Sequence, residues 1–323
     1  RANKSSKWYI VAIAMIGTSI SGVTFVSVPG MVRALDMTYL QMVFGFFFGY
    51  LVIAYVLLPL YYRLNLTTIY GYLEQRFGPK SYKTGAWFFL ISKIVGAAAR
   101  LYLVAFILQK LVFDAWGVPF AITVIGIILV IWLYSHKSGI KTIIWTDLLQ
   151  SILFLTALVL IIWQLARQLD FSFGEMVTAV AQSPHSRIFL FDDWASTQNF
   201  FKQFFSGMFI TIVMTGLDQD MMQKNLTIRS LKDAQKNVLS YGFAFVPVNL
   251  LFLSLGVLLL VFASKNNIVL PEVSDNILPF LASEYLGPIV LGVFSIGIVA
   301  AAFSSADSAL TALTTSFCVD ILN

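Results

Sequence analysis

Apolar runs long enough to cross a bilayer, about 20 residues each, recur along the chain near residues 8–32, 38–60, 85–112, 118–135, 143–166, 200–222, 238–263 and 287–318. The pattern predicts an all-α, polytopic membrane bundle of eight helices forming one transmembrane core over residues 1–323. Two runs are interrupted. The first is apolar as far as Ile16 and then reads GTSISGVT, with two glycines and four hydroxyl residues in eight positions. The sixth begins FSGMFITIVM and continues TGLDQDMMQKN. Backbone released from helical pairing at membrane depth must be buried in protein or line a cavity, where its carbonyls become available as ligands. The alternative for the first run is an intact helix with a Gly/Ser packing face and a kink near Pro29. Two interrupted helices, five apart and of opposite orientation, point to an inverted repeat with its site at the midplane.

Composition narrows the class. Of 323 residues, 59% are hydrophobic and only 11% charged, against about half and a quarter in soluble proteins. Soluble and nucleic-acid-binding readings drop out. With the start of the chain in the cytoplasm, most basic residues, among them Lys7, Arg63, Arg76, Lys80, Lys83, Lys232 and Lys236, fall on the inner side. The positive-inside rule thus absorbs the net charge of +5 without a polyanionic partner. One cysteine and two histidines offer no internal disulfide and no metal cluster. No nucleophile–base pair is evident, which argues against an enzyme. The opening RANKSSK and the end at ILN straight after a helix suggest a trimmed fragment.

The candidate chemistry sits within the spans. Residues 299–316 read VAAAFSSADSALTALTTS, placing Ser304, Ser305, Ser308 and Thr311 on or beside one helical face with Asp307 between them. Hydroxyls and one carboxylate suit a small hard cation, whereas a small-residue packing seam needs no ligand. In the third helix, Lys93 and Arg100 share a face. An intramembrane arginine is costly and should face the interior. It either grips a substrate carboxylate or sugar oxygens, or pairs with Asp147, Asp218 or Asp307. Lys93 reads as snorkelling to the cytoplasm, and Asp220 and Lys224 read as solvated. The segment LTTIYGYLEQRFGPKSYK predicts an interfacial helix capped by Thr67 or Thr68 and ended at Gly78-Pro79, and FDDWAS an N-cap region before the sixth helix.

Five motifs in order, TSISGVTFVSVPG, TTIYGYLEQRFG, GIKTIIWTDLLQ, DQDMMQKNLTIRSLKDAQ and AAAFSSADSALTALTT, span nearly the whole chain. Together they resemble the sodium:solute symporter family. The resemblance implies a LeuT-type inverted-repeat fold and sodium-coupled symport of a small polar organic solute by alternating access. It also implies flanking helices, one before the first span and two after the eighth, that this chain lacks. By the resemblance, Gly17, Ile20 and Ala301 supply carbonyls, and Ser304 and Ser305 hydroxyls, to a sodium ion. A second sodium site would use Asp147, Ser304, Asp307 and Ser308, where Asp307 departs from the usual serine. Asp307 would be either a ligand or the partner of Arg100. Sialic-acid carriers of the family carry an arginine at the spacing of Arg100 to Asp147, and hydroxyls where Ser19, Ser21 and Thr24 fall. With Asp218, these are the substrate-binding candidates, and the solute is expected to be a sugar, sugar acid or organic anion. Lipid and solute are the expected partners, with no oligomeric state assigned. The expected location is a bacterial plasma membrane with the fragment's start cytoplasmic. A solute sensor on a transporter fold, binding without coupled flux, is the alternative.

Overall fold

The structure is a computed structural model describing residues 6–66, 68–135 and 140–322, without the side chains of residues 111, 134, 135, 140–142, 302 and 305. Its elements are helical. Five are long and apolar enough to span a membrane: α3 (Tyr39–Arg63), α5 (Pro79–Leu108), α7 (Ile140–Gln168), α11 (Leu231–Lys265) and α13 (Gly287–Ser316). Two bent pairs add a span each: α1 (Trp8–Ser19) with α2 (Gly22–Leu35), and α9 (Phe200–Thr211, extended by a wide turn to Gly216) with α10 (Gln219–Asn225). A shorter apolar helix, α6 (Phe120–Ser135), lies between α5 and α7. Three short helices complete the chain: α4 (Gly71–Phe77), α8 (Phe173–Ala181) and α12 (Ile277–Glu284). Outward faces of α5 and α6 expose Phe88, Ile94, Val95, Ile125 and Ile128, as expected where lipid is the solvent. The protein is an integral, multi-pass membrane protein.

Both bends have a local cause. At the first, Ile20 (φ −93°, ψ 101°) and Ser21 (φ −84°, ψ 169°) leave the helical region. Ser21 Oγ then accepts from Thr24 N at 3.5 Å and starts α2, turning the chain by 64°. Pro29 lies inside α2, eight residues beyond Ser21, so the bend belongs to the GTSISG run and not to the proline. At the second, Asp218 (φ −101°, ψ 125°) is extended and accepts from Met221 N at 3.2 Å, and the turn is 70°.

Tight helix packing sets the frame. A Cβ on Gly45 of α3 would collide with the Phe204 carbonyl, and one on Gly207 of α9 with the Met42 carbonyl. Two glycines facing each other's backbones let α3 and α9 approach closely. Phe25, Phe252 and Phe294 pack edge-on and tilted where α2, α11 and α13 meet. Thr67 lies outside the described residues, and Thr68 does not cap α4, since its hydroxyl donates to Asp320 at 2.6 Å instead. Asp320 also accepts from Tyr82 of α5 at 2.7 Å and Ser316 of α13 at 2.6 Å. Gly78, at φ 86°, ends α4 as expected. The FDDWAS run forms a turn, Asp193 accepting from Ala195 N and Ser196 N, and Asn199 is the residue that caps α9.

Candidate functional site

Among the described residues, three polar groupings inside the bundle hold the candidate side chains. The first is at the bend between α1 and α2. Ile20 N still reaches the Ile16 carbonyl at 3.0 Å. Among the described residues, no later backbone N–H reaches the carbonyls of Gly17 to Ile20. Helix α13 packs against α1 here and buries Ala301 and Ser304 completely. Freed carbonyls beside a buried hydroxyl are a donor set that fits a small hard cation.

The second grouping is centred on Asp147 of α7, which is 0% exposed. Its Oδ1 accepts from Ser304 Oγ at 2.6 Å. Its Oδ2 meets Lys224 Nζ at 2.5 Å, with Ser308 Oγ at 3.3 Å and Thr18 Oγ1 at 3.4 Å. Lys224 Nζ donates further to Thr18 Oγ1 at 2.6 Å and Ser308 Oγ at 2.7 Å. Asp307 sits alongside, with Ser308 Oγ and Thr146 Oγ1 each at 3.4 Å.

The third is a cavity of about 340 Å³, within the range of small-molecule sites. Ser19, Ser21 and Thr24 from the first bend line it, with Lys93 and Arg100 of α5, Asp218 and Asp220 at the second bend, and Tyr50 and Tyr241. Tyr50 donates to Tyr241 at 2.8 Å, and Tyr241 is hydrogen-bonded to Ser19. A second cavity, about 430 Å³, runs from the same place past Phe88 and Phe89 toward Tyr70. Lys93, Arg100, Met214 and Asp218 line both. Lys93 pairs with Asp220 at 2.7 Å and Asp218 at 3.3 Å. Arg100 makes no ion pair among the described residues.

The model of the sodium:solute symporter family matches residues 1–323. The chain belongs to the sodium:solute symporter family. It is 26% identical to the sodium/sialic acid symporter SiaT of Proteus mirabilis, over 97% of this chain and 63% of that one. It is 25% identical to the sodium/sialic acid symporter NanT of Aliivibrio fischeri, over 97% and 62%. The sodium-dependent multivitamin transporter of Oryctolagus cuniculus is 28% identical over 77% of this chain and 38% of its own. The chain thus spans under two thirds of the length of these relatives. A solved structure of a Na⁺-coupled sialic acid symporter, substrate-bound and outward-open, superposes with a TM-score of 0.88 at 24% identity. That match covers 100% of this chain and 68% of the other, and establishes the LeuT-type inverted-repeat fold.

Within this symporter fold, α1 packs against α13, and Asp147 lies between Ser304 (2.6 Å) and Thr18 (3.4 Å), while Ser19, Ser21, Thr24, Arg100 and Asp218 line one cavity. The Ser305 side chain lies outside the described residues. Of the two readings of Arg100, a pair with Asp147 or Asp218 is not seen among the described residues. Three sequence expectations are corrected. Lys93 does not snorkel, because the buried Asp220 and the partly buried Asp218 hold it. Asp220 is 2% and Lys224 0% exposed, so neither is solvated. The 70° bend turns α10 into the core instead of letting it exit. Lys224, Thr18, Tyr50 and Tyr241 were not among the candidates. A lysine inside an interrupted span was the available signal for the first.

Proposed function

We propose that this chain is the core of a secondary active transporter that couples sodium entry to uptake of a small polar organic solute. The observation that carries the reading is the first bend. It leaves carbonyls without backbone donors beside Ser304 and sends Ser19, Ser21 and Thr24 into the adjoining cavity. Sodium and solute therefore share one broken helix. In this reading, Gly17, Ile20, Ala301, Ser304 and Ser305 hold the ion. Arg100, Ser19, Ser21 and Thr24 hold the solute, while Asp218 orients Lys93 at the cavity wall. An arginine with no ion pair among the described residues favours a carboxylate-bearing solute, because a guanidinium binds carboxylate through two parallel hydrogen bonds. The bacterial relatives are named for sialic acid, and we take an acidic sugar as the substrate class.

Coupling follows from differential affinity. A ligand shifts a conformational equilibrium only by binding one state better. Sodium bridging α1 and α13 would favour the state in which the solute hydroxyl ligands are in place, and by linkage the solute would favour sodium. In this reading the start of the chain lies on the cytoplasmic side of a plasma membrane, which the distribution of basic residues supports. A sensor without flux gains no support from relatives that are named as symporters and transporters. Proteoliposomes with an inward sodium gradient should accumulate sialic acid above equilibrium. Solute binding with no gradient-dependent uptake would overturn the transport reading.

A further inference from the structure

Lys224 lies on α10, six residues after the cap Asp218, where the bend carries the helix into the core. An ammonium has three N–H donors and no acceptor. Asp147 Oδ2 at 2.5 Å, Thr18 Oγ1 at 2.6 Å and Ser308 Oγ at 2.7 Å supply an acceptor for each. These oxygens come from α7, α1 and α13, and they surround Nζ as ligands surround a small hard cation. Asp147 and Ser308 are also the oxygens a second sodium ion would require. The residues present do not fit that ion. Their oxygens already hold a cation, and a second positive charge sharing Asp147 Oδ2 would meet strong repulsion away from water.

We infer that the Lys224 ammonium is the resident cation of the second site, so that the chain takes up one exchangeable sodium ion and not two. The inference rests on the sodium-coupled reading above. Asp147 links the two positions, with Oδ2 on Lys224 and Oδ1 on Ser304. A tethered cation cannot dissociate, so Asp147 keeps its place on α7 and its hold on Ser304 throughout the cycle. The free sodium ion alone then reports the gradient.

Equilibrium binding of radioactive sodium to the purified carrier tests this. The parent should bind one ion per chain with a Hill coefficient of about 1. Lys224→Met removes the ammonium and frees the oxygens of Asp147 and Ser308, and should raise the count to two. Lys224→Arg keeps the charge and should leave it at one. Lys224→Gln, which retains a donor for Asp147, replaces Lys224→Met if that variant does not fold and should likewise bind two. Two ions in the parent, or one ion in a folded Lys224→Met or Lys224→Gln protein, overturns the inference and leaves sodium coupling intact. No sodium bound by the parent overturns the sodium-coupled reading itself.

Discussion

The two bent helices share a geometry and differ in chemistry. Each turns by a similar angle, 64° and 70°, and each second half starts with a side-chain oxygen accepting from a backbone N–H, Ser21 in one and Asp218 in the other. The side chains of the first bend itself are neutral hydroxyls, and its carbonyls take no later backbone donor among the described residues. Around the second the groups are charged and most are paired: Asp218 and Asp220 with Lys93, and Lys224 with Asp147, although Asp220 Oδ1 and Gln219 Nε2 are buried without a hydrogen-bond partner among the described residues. Bending alone does not make a binding site. Capacity for a ligand resides in polar groups left without a countercharge or donor, and the first-bend carbonyls and Arg100 are such groups among the described residues.

The largest effect is expected at the second bend. Lys93→Met leaves Asp218 and Asp220 inside the protein without their cation, and breaking such a pair costs about 3–5 kcal/mol. The melting temperature should fall sharply and recover in part when Asp220→Asn is added. A Lys93→Met protein with unchanged melting temperature but weakened solute binding would make this bend a site and not a brace. Next comes Arg100→Ala. Hydrogen bonds to charged groups contribute about 1.5–3 kcal/mol, so affinity for an acidic sugar should drop about 100-fold with little change in melting temperature. A loss of stability instead would give Arg100 an internal partner and erase its contrast with Lys224.

The smallest effect lies outside both bends and serves as their control. Hydrogen bonds from the Ser172 hydroxyl and backbone N–H, both 2.7 Å, hold the exposed Glu175 carboxyl below its ordinary value of 4.5. A carboxyl depressed in the folded state adds stability above its unfolded value, and that stability is lost as pH falls through the folded one. Amide-exchange protection of α8 should therefore weaken on acidification from pH 5, and Glu175→Gln should remove that dependence. Solute binding at the first bend should not follow the α8 transition.

The spans and both interruptions were legible in the sequence, because hydropathy reports burial in lipid directly and GTSISGVT and TGLDQD break an otherwise apolar run. The freed carbonyls of Gly17 to Ile20 follow from the first interruption and were legible for the same reason. The partners of the charges were not. Asp147 and Lys224 are 77 positions apart, and Asp147 and Ser304 are 157 apart, so no local pattern joins them. Reading Lys224 as solvated assumed that a helix continues straight toward the nearer membrane face. A 70° turn at Asp218 removes that assumption and brings the lysine to the middle of the bundle.

Asp320 shows how such pairings also constrain motion. One carboxylate accepts from Thr68 just before α4, from Tyr82 on α5 and from Ser316 at the end of α13. Separating these elements would forfeit three hydrogen bonds at about 1 kcal/mol net each. A rocking movement that carries α13 away from α1 therefore travels at lower cost with α4 and α5 attached. The short helix α4 becomes a crossbar that ties α5, which carries Arg100, to the end of α13, which carries Ser304.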